Sequence, residues 1–112
     1  MRVPKKVSTI TTNIASGTTT AAIDLTGKSL FAIQCPASLS STTCTFTAAA
    51  SKADTYVAVN DDAGNAISIT VAASKIITLL NKHLSLRGFN YIKLVMGSSE
   101  TDKTLTLYFI EE

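Results

Sequence analysis

Hydrophobic and polar residues alternate with a period of two along most of this chain. A period of two places successive side chains on opposite faces of an extended backbone, which is typical of a β-strand with one buried face. The clearest case is Cys44, Phe46 and Ala48, which alternate with threonines. The pattern therefore predicts an all-β protein.

Eight or nine short segments carry this pattern, at a spacing of roughly ten residues. No helical segment long enough for a parallel crossover is visible, so antiparallel pairing is expected. Residues 30–36 are almost wholly apolar, which predicts a central strand buried on both faces. The fold class predicted is an antiparallel two-sheet sandwich, jelly-roll-like. The strands are predicted around residues 7–14, 21–25, 30–36, 43–48, 55–60, 67–71, 76–80, 89–96 and 104–109.

Turns are predicted at residues 16–18, 26–28 and 60–65, because Gly, Asn and Asp tolerate left-handed backbone angles. Residues 97–102 are polar and are predicted to form a loop between the last two strands. Residues 81–86 are less β-like and are compatible with one short helical turn.

The chain of 112 residues is long enough for one domain. We expect residues 7–112 to form a single β-sandwich domain, preceded by an extended N-terminal arm at residues 1–6. The start lacks the continuous apolar stretch of a signal peptide, and no segment approaches the ~18 apolar residues of a membrane helix. We therefore expect the protein to be made and folded in a cytoplasm.

The surface is expected to carry hydroxyls rather than charges. Charged residues make up 16% of the chain, apolar residues 46%, and the net charge is +2. Such a weak charge argues against a nucleic-acid partner. The one basic cluster, Arg2, Lys5 and Lys6, is either a solubilising tail or a minor contact to an acidic partner.

Cys35 and Cys44 lie nine residues apart and are interpreted as buried thiols. A disulfide across a hairpin is the alternative, but disulfides are rare in a reducing cytoplasm. No second cysteine pair or histidine cluster accompanies them, so no metal site is predicted.

No catalytic apparatus is recognisable, and the protein is not expected to be an enzyme or to need a cofactor. The single histidine, His83, is interpreted as a surface or loop residue. The carboxylates do not pair across any cleft that the pattern predicts. Residues 60–65 are rich in oxygen ligands but lack the spacing of an EF-hand, so an ordinary turn is favoured over a loose cation site.

Tyr56, Tyr91 and Tyr108 are predicted to lie mid-strand, as core-edge or interface residues. Exposed tyrosines also stack sugar rings, so a glycan-binding role is the alternative.

Several motifs of residues 54–110 occur in a consistent order. They are YVAVNDDAG (56–64), ISITV (67–71), ASKIITL (73–79), LRGFNYIKL (86–94) and KTLTL (103–107), with looser matches at IDLTG (23–27) and TFT (45–47). This layout resembles small β-sandwich virion proteins of tailed bacteriophages, of the capsid decoration or cement type.

The resemblance implies a structural protein that binds the outer capsid shell as a homo-oligomer and stabilises it. Its partners would be the major capsid protein and itself, as a homotrimer, with no nucleic acid or membrane. It would be located at the capsid surface of the virion, after synthesis in the host bacterial cytoplasm. Candidate interface residues are Arg2, Lys5, Lys6, Tyr56, Tyr91 and Tyr108. The alternatives are a carbohydrate- or receptor-binding module of a phage tail or fibre, and a small hydrolase.

Overall fold

The computed structural model describes residues 6–79 and 89–111. Within these residues every regular element is a β-strand and all strand pairs are antiparallel, which confirms the all-β, antiparallel part of the prediction. The helical turn predicted at residues 81–86 lies outside them. The strands are β1 (Lys6–Thr19), β2 (Ile23–Asp24), β3 (Lys28–Gln34), β4 (Thr43–Ala49), β5 (Val57–Ala58), β6 (Ser68–Thr70), β7 (Ile76–Thr78) and β8 (Tyr91–Glu111).

The strands form one eight-stranded sheet that curls into a half-barrel. Its centre is β8, which is 21 residues long. β4 pairs with residues 91–96 of β8 and β2 with residues 91 and 92, whereas β1 pairs along residues 100–111 and β3 along residues 106–111. The last residue of β1, Thr19, also pairs with Val95. Outside these, β7 pairs with β3, and β5 and β6 pair with β4. The sheet therefore has two halves that share one strand.

The loop predicted at residues 97–102 is wrong, because this polar segment belongs to β8. Glu100 and Thr101 pair with Gly17 and Ser16 of β1. Strand pairing uses backbone groups, so a run of polar side chains does not end a strand where a partner backbone is available. The segment marks a bend, where Asp102 adopts a left-handed φ of 51°.

The turn predicted at residues 16–18 is also wrong, since β1 continues through it to Thr19. The register passes from Gly17 opposite Glu100 to Thr19 opposite Val95, so β1 advances two residues while β8 advances five. Gly17 takes a φ of 103°, which a side chain would disfavour. The glycine signal therefore marked a left-handed residue correctly, but at a β-bulge rather than at a chain reversal.

A single hydrophobic core joins the two halves of the sheet. Leu105, Leu107 and Phe109 of β8 are each 0% exposed, and they pack in one cluster with Phe46 of β4. Full burial of such a side chain contributes about 1.5–3 kcal/mol relative to exposure. As predicted, β3 is a central strand with buried residues on both faces.

Two local predictions are confirmed. The 60–65 turn forms, with Asp61 Oδ1 accepting hydrogen bonds from the N–H groups of Ala63 and Asn65. Cys35 and Cys44 are free and buried. Burial raises the pKa of Cys44 to about 12, which keeps this thiol protonated.

A buried carboxylate ties residues 40 and 41 to the bend of β8. Glu100 is 2% exposed and accepts hydrogen bonds from the N–H groups of Ser40 (3.1 Å) and Ser41 (2.7 Å) and from the Ser41 hydroxyl. Desolvation by itself would raise the pKa of Glu100. The bonds from Ser41 and Ser40, with the charge of Lys103, outweigh that effect and hold the pKa below its usual range. Glu100 is therefore a charged clamp.

Beside the bend, Gly97 lies close to the Thr43 side chain of β4. A Cβ built on Gly97 would overlap Thr43 Oγ1 and lie 3.4 Å from the Thr43 carbonyl oxygen. A side chain at residue 97 would therefore require the Thr43 side chain to move, which glycine avoids.

We predict that Glu100→Gln lowers the free energy of unfolding at pH 7 by about 1–3 kcal/mol, because charge-assisted hydrogen bonds are lost. Folding depresses the pKa of Glu100. Its contribution to the free energy of unfolding is therefore fully present above about pH 4.3 and is lost as the pH falls through the pKa that Glu100 has in the folded protein. Urea unfolding between pH 7 and pH 3 should therefore show a shallower pH dependence in the variant. Asp62→Asn, an exposed carboxylate, is the control. Equal pH dependence in wild type and Glu100→Gln would contradict the clamp.

We predict that Gly97→Ala destabilises the protein by about 1–3 kcal/mol, because the added methyl overpacks the β4–β8 contact. Thr43→Ala removes the overlapped hydroxyl and should recover part of this loss in the double variant. The measurement is a double-mutant cycle by thermal or urea unfolding. Additive effects of the two changes would show that the contact between residues 43 and 97 is not close.

Candidate functional site

In the half of the sheet formed by β1, β3, β7 and the end of β8, the buried residues identify which face points outward. Leu105, Leu107 and Phe109 point into the core, so alternate residues of β8 point outward. Residues directly opposite in neighbouring strands share a face, which extends this outer surface over β1, β3 and β7. We call it the Tyr108 face, and it comprises Val7, Thr9, Thr11, Asn13, Ser29, Phe31, Ala32, Gln34, Ile76, Thr78, Thr104, Thr106, Tyr108 and Ile110. Ser29 and Ala32 are buried beneath their neighbours on this face.

Tyr108 is held rigidly at the centre of this face. Its hydroxyl donates a hydrogen bond to Gln34 Oε1 at 2.7 Å, and its ring centroid lies 6.2 Å from that of Phe31 at an interplanar angle of 58°. Phe31 is an extra residue in β3, because Leu30 pairs with Phe109 while Ala32 pairs with Tyr108. This bulge brings a second aromatic ring beside Tyr108.

The Tyr108 face carries no ionisable side chain other than the phenol itself. Two of its large apolar residues, Val7 and Ile76, are 57% and 56% exposed. Exposed apolar side chains around aromatic residues are typical of surfaces that bind another protein. The face can therefore bind a partner without desolvating an ion.

A second aromatic group lies on the other half of the sheet and is called the Tyr56 patch: Tyr56, Tyr91 and Lys93. Lys93 Nζ lies 4.2 Å from the Tyr56 ring centroid, a cation–π contact. The Tyr56 hydroxyl donates to the Lys52 carbonyl at 3.0 Å. Desolvation, followed by Tyr91 and Asp54, raises the pKa of Tyr56, so the hydroxyl remains a donor.

An apolar hollow of about 410 Å³ lies near this patch. Most of its wall is small and apolar, and Asn90 donates its side-chain N–H to the Ala50 carbonyl at 3.2 Å. The hollow could therefore enclose an apolar group, but its wall has few polar groups that could orient a ligand. Its lining residues are Ala48, Ala49, Ala50, Thr55, Val57, Phe89 and Asn90.

The candidate interface residues do not form one site. Tyr56 and Tyr91 share a patch, whereas Tyr108 lies on the other half of the sheet. Lys6 is the first residue of β1, and Arg2 and Lys5 lie outside the described residues. Tyr108 lies within β8 as expected, but Tyr91 begins β8 and Tyr56 precedes β5, so the mid-strand prediction is wrong for these two.

Sequence reasoning missed Phe31 and Lys93. Lys93 follows Tyr91 by two residues in a strand, so the period of two signals that they share a face. Phe31 reaches Tyr108 only through the bulge in β3, and no local pattern marks that bulge.

In the part of the chain that the structure describes, no group of three or more His, Cys, Asp or Glu side chains is placed to hold a metal ion. No helix in residues 6–79 or 89–111 is long and apolar enough to cross a membrane. His83 lies outside the described ranges.

No protein-family model, curated protein or solved structure matches this chain. The resemblance to phage virion proteins therefore stays a prediction from the sequence.

Proposed function

We propose that this protein is a structural bacteriophage virion protein of the capsid decoration or cement type, which binds the outer capsid shell as a homo-oligomer and stabilises it. The observation that supports this proposal best is the uncharged Tyr108 face, with its rigid aromatic centre and exposed Val7 and Ile76. The partner would be the major capsid protein, and the location the capsid surface.

The chemistry of the Tyr108 face suits a permanent contact with another protein surface. Burying an ion is costly unless a partner charge meets it, and this face has none to bury. Its threonines offer hydroxyls that can both donate and accept hydrogen bonds. Tyr108 and Phe31 supply large apolar area with little rotamer freedom to lose, since each is already packed against the other.

The proposal includes the two-layer, jelly-roll-like packing expected from the sequence. It is supported by the single core, in which Phe46 from one half of the sheet and Phe109 from the other belong to the same cluster. Packing of this kind would keep the outer faces of the two halves in a fixed relation.

A carbohydrate- or receptor-binding module of a tail or fibre is the second candidate. It is supported by the Tyr56 patch and the nearby apolar hollow. Lys93 lies over the Tyr56 ring, however, so a sugar would have to use the opposite ring face or displace the ammonium group. The decoration role needs no such displacement.

The decoration role predicts that the protein co-sediments with shells assembled from the major capsid protein of the same phage genome and raises their thermal stability. Ile76→Lys places a charge in the Tyr108 face at a position already 56% exposed. We expect this variant to fold normally but to bind the shells at least ~10-fold more weakly, since the ammonium group would be desolvated on binding.

Val57→Lys is the matched control, because Val57 is 65% exposed in β5, away from the Tyr108 face. It should bind as the wild type does. Absence of wild-type binding to the shells would overturn the proposed function, and equal binding by Ile76→Lys would exclude the Tyr108 face as the contact.

The second candidate predicts binding on a glycan array that Tyr91→Ala abolishes and Tyr108→Ala retains. Under the decoration role we expect no glycan signal for the wild type. A specific glycan signal lost in Tyr91→Ala would favour the receptor-binding module instead.

A further inference from the structure

The free edge of β1 is a surface that the proposed contact with the shell does not explain. In residues 6–79 and 89–111, β8 is the only strand that pairs with β1. The pairing is regular from Lys6 opposite Glu111 to Gly17 opposite Glu100. At about 3.4 Å per residue, this edge is about 40 Å long.

An unpaired edge of this kind presents a row of backbone N–H and C=O groups. Proteins usually protect such edges with short strands, charged residues, proline or bulges. From Val7 to Thr19 the sequence contains no charged residue and no proline, and the register is irregular only beyond Gly17. Val7 and Ile10 are 57% and 37% exposed. The common protective features are thus missing along most of the edge.

From this geometry we infer that β1 pairs antiparallel with β1 of a second copy of this chain, about a two-fold axis. Two identical antiparallel strands are self-complementary, which is the condition for an isologous dimer. The segment suits itself because it is neutral, and its threonines form favourable cross-strand pairs.

The position of the one charged residue in β1 is compatible with pairing between the β1 strands of two copies. Lys6 lies at the very start of β1. If the axis passes beside Thr11, so that Thr11 lies opposite Thr11 of the second copy, each Lys6 lies at the opposite end of the joint from the other. Their separation is then about 34 Å, well beyond the Debye length of about 8–10 Å. Self-pairing therefore carries no like-charge penalty.

A two-fold joint closes at two copies, so it favours a dimer over the trimer that the sequence resemblance implies. The joined edges would make one continuous sheet from two eight-stranded sheets. The axis would be perpendicular to the sheet, so both Tyr108 faces would lie on the same side. This last consequence concerns the proposed function, but the pairing of β1 does not depend on it.

The first test is light scattering after size exclusion. We expect the wild type to be a dimer and Thr11→Lys to shift it at least ~10-fold toward monomer, because two like charges would then meet near the axis. Thr11 is exposed, so the variant should fold; circular dichroism and thermal unfolding verify this. Thr70→Lys, an exposed threonine of β6, is the matched control and should remain dimeric.

The second test is oxidative cross-linking of Thr9→Cys, Thr11→Cys and Asn13→Cys, each as a single change. The native Cys35 and Cys44 are buried and should not cross-link. We expect covalent dimers that are strongest for the variant closest to the axis, and none for Thr70→Cys.

A monomeric wild type, a trimer, or a dimer that Thr11→Lys leaves intact would each overturn the inference. A β1-dependent dimer that fails to bind capsid shells would support the inference and overturn the proposed function, so the two failures are distinguishable.

Discussion

The structure depends on the backbone pairing of one strand, β8, with four others. β4 and β2 pair within residues 91–96, whereas β3 pairs with residues 106–111 and β1 with residues 100–111 and, through Thr19, with Val95. No other described strand pairs with members of both halves. Its inward residues Leu94, Leu105 and Leu107 are each 0% exposed, so β8 supplies both the hydrogen bonds and much of the core. Loosening β8 would separate the halves of the sheet, which makes it the least replaceable element.

The bend in β8 explains why polar residues occur in the middle of a central strand. The strand must pass from one half of the sheet to the other, and regular pleating would carry it straight on. Gly97 leaves room for the Thr43 hydroxyl of β4, and the Gly17 bulge absorbs the unequal advance of β1. Glu100 then fixes the bend by binding Ser40 and Ser41. Thus the polar residues replace core packing with hydrogen bonds where the chain changes direction.

The features predictable from the sequence are those set by neighbouring residues. Alternation marked β4 and β6, and the aspartate- and glycine-rich residues 60–65 marked a turn, because each depends on local geometry. The continuation of β1 through Gly17 and of β8 through Glu100 depends on a partner strand distant in sequence. Local composition therefore indicated a turn and a loop instead. The same holds for the candidate site. Tyr108 was identified from the sequence, but its neighbour Phe31 was not, because Phe31 reaches Tyr108 only through the bulge in β3.

The Tyr108 face and the free edge of β1 are physically continuous, so binding at one surface would affect binding at the other. Val7, Thr9 and Thr11 belong to both, because they point outward from the strand whose edge is unpaired. Pairing through β1 would extend the uncharged face across two copies without adding a charge at the joint. A bivalent face binds a repeating surface more strongly than a single one, since the second contact forms at high effective concentration. Binding to a regular shell would in turn hold two copies side by side and favour the joint, because linked equilibria are reciprocal. If both proposals hold, self-association and shell binding would therefore be coupled through the same outward residues of one strand.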